Sequence, residues 1–190
     1  TQIKKIKDIL LKKYKNNLIF TREPGGTIEA EVIRKLILNT SKNNWENESE
    51  ILLLVTARYE HYKKLILPSI KKGKIVISDR FIDSTIAYQC NNNKKLKIFF
   101  NKISKLIFAN FLPDLTILLD IDPNIAINRM KNRNIKNHYD KKSLLYFKKV
   151  RNTYLDLANK NSRINVIDAS LNQEIITKKI IDLIYKKIKI

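Results

Sequence analysis

Glycine is scarce in this chain, with three residues in 190, and two of the three are adjacent in the segment TREPGGT, residues 21–27. Glycine-rich turns often cradle phosphate, because backbone N–H groups approach an anion closely where no side chain intervenes. A Walker-type phosphate loop would place a lysine directly after its last glycine. Here Thr27 follows Gly26, and the next lysine is Lys35. The segment is therefore not a cradle for the phosphates of ATP, and it needs another role.

Cysteine, histidine and long apolar runs are also scarce. The single cysteine, Cys90, excludes an internal disulfide and fits a reducing cytosol, so a cytoplasmic protein is predicted. No apolar run reaches the roughly 18 residues that a transmembrane helix needs, so no membrane partner is expected. The two histidines and the cysteine do not have metal-ligand spacing, which argues against zinc. No nucleophile elbow of a serine hydrolase is present.

Acidic residues are few relative to basic ones: 18 against 38, for a formal net charge of +20. A basic surface is typical of nucleic-acid binders, and this is one hypothesis. The lysines, however, are spread over every segment, and lysine, asparagine and isoleucine all have A/T-rich codons. Basic residues clustered with stacking aromatics, as single-strand binding requires, are not seen. A compositional origin of the charge is favoured, and no stable nucleic-acid partner is predicted.

Apolar periodicity predicts alternating helices and strands in one domain, residues 1–190. Fully apolar strands such as LTILL indicate a parallel sheet with helices on both faces, an α/β fold. Residues 134–142 are polar without a pattern, which predicts a mobile loop. The predicted helices are 2–14, 28–38, 46–72 (with Pro68 near its end), 84–89, 95–110, 123–133, 143–160 and 172–188, and the predicted strands are 18–21, 74–78, 115–119 and 164–167.

Charged residues follow every predicted strand. Ligands of parallel α/β sheets bind beyond the carboxyl ends of the strands, so these residues are expected to share one edge. Polar residues begin most loops, but two arginine–carboxylate pairs together favour a phosphate and metal site. The residues in question are Arg22-Glu23, Asp79-Arg80, Asp120 and Asp168.

Five segments stand in the order and spacing seen in bacterial thymidylate kinases, and the resemblance covers almost the whole chain. Each segment alone would be a weak signal, but the combination is specific. The resemblance implies a nucleoside-monophosphate-kinase fold of the P-loop type and transfer of the γ-phosphate of ATP to dTMP, with Mg²⁺, for dTTP synthesis. The segments are FTREPGGT, TARYEH, ISDRFIDSTIAYQ, PDLTILLDID and FKKVRNTYLDLA.

The resemblance implies roles at the phosphates for four residues. Arg34 resembles the arginine that holds the 5′-phosphate of the acceptor, and Arg80 a second clamp near the transferring group. Guanidinium forks suit phosphate oxygens, which they bind bidentately. Asp79 and Glu23 resemble the acidic groups near magnesium and the acceptor phosphate. TREPGGT itself resembles the loop that faces dTMP.

The resemblance also implies a base pocket. Arg58 matches the arginine that donates to a thymine carbonyl, and Thr85 and Gln89 match polar residues at the base edge. Tyr88 resembles the tyrosine beside the sugar, where a 2′-hydroxyl would clash. Leu54 stands where the family commonly stacks a phenylalanine on thymine, so a weaker contact with the base is expected.

On the donor side, the resemblance implies a lid at about 129–142. Arg129, Lys131 and Arg133 stand where the family has its lid arginines, and Arg129 and Arg133 are candidate catalytic residues. Asp168 resembles a residue near adenine. The family also has an N-terminal strand and phosphate loop, which the resemblance implies lie before Thr1. The 190 residues alone are therefore expected to be inactive, and a non-catalytic nucleotide-binding protein remains the alternative. A homodimer is expected, as is usual in the family.

Overall fold

The computed structural model describes residues 2–38, 45–131 and 142–188. Parallel strands alternate with helices, as the sequence predicts, with boundaries displaced by a few residues. Beyond Lys131, the end of the predicted helix 123–133 and most of the predicted loop 134–142 lie outside the described residues. The helices are α1 Gln2–Tyr14, α2 Ile28–Leu38, α3 Asn47–His61, α4 Leu67–Lys71, α5 Ile82–Thr85, α6 Lys94–Phe108, α7 Pro123–Lys131, α8 Leu144–Lys160 and α9 Gln173–Ile188, and the strands are β1 Leu18–Arg22, β2 Ile75–Asp79, β3 Thr116–Asp120 and β4 Ile164–Asp168.

The four described strands form two separate parallel pairs, β1 with β2 and β3 with β4, rather than the single sheet expected from sequence. A groove of about 790 Å³ is lined by residues of β2 and β3 and of α1 and α9. In register, Arg22 lies opposite Asp79, and Asp120 lies opposite Asp168. The charged residues at the strand ends thus form two pairs, one in each pair of strands, and the members of a pair are neighbours.

Two hydrophobic cores lie on opposite faces of the strands. One is built by α3, α6 and α8 around Phe100, and the other by α1 and α9 around Leu10. Strand β4 contributes Ile164 to the first core and Ile167 to the second. Residues an odd number apart in a strand point to opposite faces, so both faces of β4 are covered by helices. The prediction of helices on both faces is confirmed.

Two π-helical turns interrupt the helices. The predicted helix 46–72 is present as α3, a π turn at Tyr62–Ile66, and α4, which has Pro68 in its first turn. Proline is tolerated there because the first turn of a helix needs no backbone donor. The second π turn, Ile86–Cys90, carries Tyr88 and Gln89. Such turns frequently occur at functional sites. None of the helices in the described ranges is long and apolar enough to cross a membrane.

Candidate active site

The loop after β1 is packed directly onto α2 and α3. Gly25 and Gly26 have φ values of 133° and 91°, where side chains are rarely tolerated. A Cβ atom on Gly26 would lie 2.5 Å from Thr21 Oγ1 and 2.6 Å from His61 Cδ2. The Gly26 amide donates to Glu31 Oε1 at 3.1 Å. The two glycines therefore let the chain turn against its own helices.

Three arginines converge beside this loop. Arg34 of α2 donates to the Pro24 carbonyl oxygen at 2.8 Å, and its charge interacts with those of Arg22 and Arg80. Burial, followed by repulsion from Arg22, lowers the pKa of Arg34 below its ordinary value. Glu31 offsets part of the charge by accepting from Arg22 Nη2 at 3.0 Å. A surplus of guanidinium charge at one place favours an anionic ligand such as phosphate.

Arg80 follows β2 in a strained conformation. Its φ is 72°, in the left-handed region that non-glycine residues seldom occupy. The Ser78 hydroxyl donates to the Arg80 carbonyl oxygen at 2.8 Å and stabilises this turn. The guanidinium lies 4.8 Å from the centre of the Tyr88 ring. Strain of this kind is concentrated at functional sites, because the surrounding structure must hold it in place.

Asp79 and Glu23 lie in different environments, although the sequence analysis expects both near magnesium. Asp79 is exposed at the end of β2, where its charge partly opposes the lowering of the pKa of Arg34 by burial and by Arg22. Glu23 is 4% exposed, and protein donors occupy both of its carboxylate oxygens. No group of three His, Cys, Asp or Glu residues within the described ranges could hold a metal ion. In the structure, both oxygens of Glu23 therefore accept from side chains of α3.

Arg58 lies at the centre of a buried cluster of polar side chains. It is 3% exposed; its Nε donates to Glu23 Oε2 at 2.6 Å and its Nη2 to Thr85 Oγ1 at 3.1 Å. Its third nitrogen, Nη1, is buried without a hydrogen-bond partner. The guanidinium lies between the rings of Phe81 and Phe100, 5.3 and 6.0 Å from their centres. A buried donor without an acceptor costs free energy, so Nη1 is available to a ligand that offers an acceptor.

Thr85, expected at the base edge, is 2% exposed and bonded to Arg58, so its hydroxyl supports the arginine. Leu54 is buried, 7% exposed, one turn before Arg58 on α3. Side chains four apart share a helix face, so both belong to the same side of α3. Cys90 is buried nearby, and burial raises the pKa of its thiol to about 11. This thiol packs as a small apolar side chain.

Tyr88 and Gln89 line a cavity of about 230 Å³ next to this cluster. Gln89 donates to Glu50 Oε1 at 2.9 Å, and the Tyr146 hydroxyl donates to the Tyr88 carbonyl oxygen at 3.0 Å. The Tyr88 ring makes edge contacts with Tyr146 and Tyr154, whose pKa values burial raises. Sequence reasoning missed both α8 tyrosines and Glu50, although the tyrosines are eight apart and share a helix face.

Two of the donor-side candidates, Arg129 and Asp168, lie within the described residues with their side chains. Arg129 of α7 donates to the Ala169 carbonyl oxygen at 3.4 Å, next to Asp168 at the end of β4. Asp168 is exposed; hydrogen bonds from Ser170 lower its pKa. Arg133 lies outside the described residues, as does most of the expected lid, and the side chain of Lys131 is not described. Asp120 forms a bidentate pair with Arg151 at 2.7 and 2.8 Å, which the sequence did not indicate.

Comparison with known proteins gives one consistent result. The family described as "Thymidylate kinase" matches residues 1–180. The chain is 41% identical over 182 residues to the thymidylate kinase of Buchnera aphidicola subsp. Schizaphis graminum, covering 95% of this chain and 86% of the relative. It is 44% identical over 177 residues to that of Wolbachia pipientis subsp. Culex pipiens, covering 92% and 83%.

A solved structure shows the same fold. The crystal structure of thymidylate kinase from Ehrlichia chaffeensis superposes with a TM-score of 0.76 at 31% identity, covering 96% of this chain and 89% of that chain. The chain belongs to the thymidylate kinase family.

Proposed function

We propose that this protein transfers the γ-phosphate of ATP to dTMP and so supplies dTDP for dTTP synthesis in the cytoplasm. One observation carries the proposal. Adjacent residues of one loop hold two different arginines: Glu23 binds Arg58 of the base pocket, and the Pro24 carbonyl accepts from Arg34 of the arginine cluster. The loop thus links a donor for a base carbonyl to a site for a phosphate. A nucleoside monophosphate carries both of these groups.

The proposed chemistry needs little from the protein beyond position and charge. Arg34 holds the 5′-phosphate of the acceptor, and Arg58 Nη1 donates to a thymine carbonyl. Tyr88 packs beside the sugar, with Gln89 at the base edge. An acceptor phosphate oxygen then attacks the γ-phosphorus of ATP, and ADP leaves. Arg80, which converges on the same loop as Arg22 and Arg34, neutralises the negative charge that grows on the oxygens of the transferring phosphoryl group.

The donor side of the proposal rests on exposed groups at the strand ends. Asp79 fits a magnesium ligand, because Mg²⁺ is commonly held by one or two carboxylates together with substrate phosphates. The ion supplies charge neutralisation between the phosphates when bound. Arg129 and Arg133 are proposed to contact the transferring phosphate, and Asp168 to lie near adenine.

Calorimetric binding of dTMP and dCMP tests the acceptor site. The wild-type chain is expected to prefer dTMP, since cytosine replaces the relevant carbonyl with an amino group. Arg58→Lys keeps a positive charge beside the buried Glu23 but loses the planar fork. We expect it to weaken dTMP binding about 10- to 100-fold, which is the affinity that a hydrogen bond to a charged group contributes. We expect dCMP binding to weaken much less. Equal binding of the two nucleotides by the wild type would refute thymine recognition.

Turnover is tested by release of ADP on addition of dTMP and ATP. The sequence of residues 1–190 contains no Gly-x-x-x-x-Gly-Lys-Ser/Thr motif. We propose that this polypeptide alone binds dTMP without appreciable turnover, and that the product of the complete open reading frame is active. Binding without turnover by both polypeptides would favour the non-catalytic nucleotide-binding protein.

A homodimer is proposed from an exposed apolar stripe on α2. Ile28, Val32 and Leu36 are 84, 54 and 44% exposed and lie four residues apart, so they share one helix face. Leu52 and Tyr59 are exposed on the neighbouring α3. Ile51 and Val55 of the same helix are buried in the protein's own core and are not part of this surface. A second copy would cover the stripe by twofold symmetry.

Val32→Asp is expected to convert the dimer to a monomer, because it places a charge at the centre of this stripe. Sedimentation velocity measures the change. Ile175→Asp is the matched control, since Ile175 is 48% exposed on α9 and away from the stripe. If both variants sediment like the wild type, α2 does not form the interface.

A further inference from the structure

A chain of buried hydrogen bonds runs behind the base pocket. Thr21 Oγ1 lies 2.7 Å from His61 Nε2, and His61 Nδ1 lies 3.0 Å from Glu23 Oε1. Glu23 Oε2 accepts from Arg58 Nε at 2.6 Å. His61 is fully buried, and Glu23 and Arg58 are 4 and 3% exposed. The proposed function uses Arg58, and nothing in it yet accounts for His61.

The hydrogen-bond partners indicate which nitrogen of His61 carries the proton. An ionised carboxylate only accepts hydrogen bonds, so His61 Nδ1 carries the proton that Glu23 Oε1 receives. His61 Nε2 is then the acceptor, and the Thr21 hydroxyl donates to it. Glu23 balances the charge of Arg58, so the cluster buries one ion pair. Each donor in the chain has its own acceptor, apart from Arg58 Nη1.

Glu23 and Arg58 form an unusual ion pair for this protein. Arg151 binds Asp120 through Nε and Nη2, one nitrogen to each carboxylate oxygen. Arg163 likewise binds both oxygens of Asp83. Arg58 reaches only Oε2 of Glu23, and His61 donates to Oε1, so the two donors together fix the plane of the carboxylate. The bidentate arrangement is the stronger one, so a carboxylate freed from His61 would rotate to meet both Nε and Nη2 of Arg58.

If His61 no longer donated to Glu23 Oε1, the guanidinium of Arg58 would rotate. To contact both oxygens through Nε and Nη2, Arg58 would give up Thr85, which now accepts from Nη2. A planar fork moves as a unit, so Nη1 would leave its present direction as well. The close approach of Gly26 to the His61 ring fixes the histidine against such a change. The position of Nη1 is therefore set by His61, two hydrogen bonds away.

We propose that His61 is a positioning residue for base specificity: by occupying Glu23 Oε1, it holds Arg58 on one carboxylate oxygen and keeps Nη1 directed to the base. This inference rests on the proposed function, because Arg58 must read the thymine carbonyl. His61 itself does not touch the substrate. Its effect is to set the preference between nucleobases.

Two substitutions separate the two hydrogen bonds of His61. The amide nitrogen of His61→Asn matches the position of Nδ1 and can still donate to Glu23. The amide group of His61→Gln reaches the position of Nε2 and can still contact Thr21, but it leaves Oε1 without its donor. The pair is matched in polarity, and both lose packing volume beside Gly26. Urea denaturation establishes that each variant is folded before binding is measured.

The measured quantity is the ratio of the dissociation constants for dCMP and dTMP, from calorimetry. His61→Asn is expected to keep this ratio within about threefold of the wild type, and His61→Gln to reduce it about 10-fold or more. Thr21→Val, which removes only the contact at Nε2, is expected to behave like His61→Asn. A purely structural role would weaken both nucleotides together and leave the ratio unchanged.

Equal ratios in His61→Asn and His61→Gln would overturn the inference, whereas no preference in the wild type would overturn the proposed function. Long-range ¹H–¹⁵N NMR of the wild-type protein gives a test that needs no variant to fold. The proton is expected on His61 Nδ1. A proton on Nε2 alone would leave Glu23 Oε1 without its donor and would also overturn the inference.

Discussion

Arg80→Ala is expected to lower kcat by roughly 100- to 1,000-fold in the enzyme expressed from its complete open reading frame, the range seen when a group that stabilises transition-state charge is removed. The KM for dTMP should change much less, because Arg80 meets charge that grows during transfer. The strained backbone at φ 72° and the contact with Tyr88 hold the guanidinium in advance of the reaction. Steady-state kinetics with dTMP varied measures both constants.

Arg34→Ala is the matched control for this prediction. Arg34 is anchored to the Pro24 carbonyl and is proposed to hold the acceptor phosphate in the ground state and the transition state alike. Its loss should mainly raise the KM for dTMP. If Arg80→Ala instead raised KM and left kcat unchanged, Arg80 would be a residue that binds the acceptor phosphate and not one that stabilises the transition state.

Gly26→Ala is expected to destabilise the protein by about 2–4 kcal/mol, from the strain of a positive φ together with the clash of the new methyl group. The methyl would meet Thr21 Oγ1 and the His61 ring, so either the loop or α3 must move. Binding of dTMP should fall as well, because the same loop holds Arg34 and Arg58. Urea denaturation gives the free energy of unfolding, and calorimetry gives the affinity.

Gly73→Ala separates the two contributions. Gly73 also has a positive φ, of 71°, but no atom lies within 4 Å of the position that its Cβ would take. It is expected to cost about 1 kcal/mol from conformation alone and to leave nucleotide binding unchanged. If Gly26→Ala is no more destabilising than Gly73→Ala, the loop is looser than the structure indicates.

The strands and helices could be predicted because the chain's apolar residues follow the periods of helices and strands. Parallel topology predicted the charged strand ends at one edge, and the structure pairs Arg22 with Asp79 and Asp120 with Asp168 in register, within two separate strand pairs. The resemblance located Arg34, Arg58 and Arg80, whose motifs are contiguous in sequence.

The partners of those arginines could not be predicted in the same way. Glu23 follows a strand end in the sequence, and nothing there indicates its burial against Arg58 and His61. His61 shares a helix face with Arg58, but helical spacing does not reveal what that face meets. Tyr146 and Tyr154 reach Tyr88 across more than fifty residues of chain. Long-range contacts of this kind depend on tertiary packing, which local pattern does not encode.

The separation of the described strands into two pairs bears on how the protein moves. The β1–β2 pair carries Asp79 and leads into the loop that holds Arg34 and Arg58, whereas the β3–β4 pair carries Asp120 and Asp168. Among the described strands, no backbone ladder joins these pairs, and the two apolar cores hold them together. In the polypeptide of residues 1–190 the facing edges of β2 and β3 therefore have no ladder partner among the described strands, and their amide hydrogens are expected to exchange faster than those within each pair.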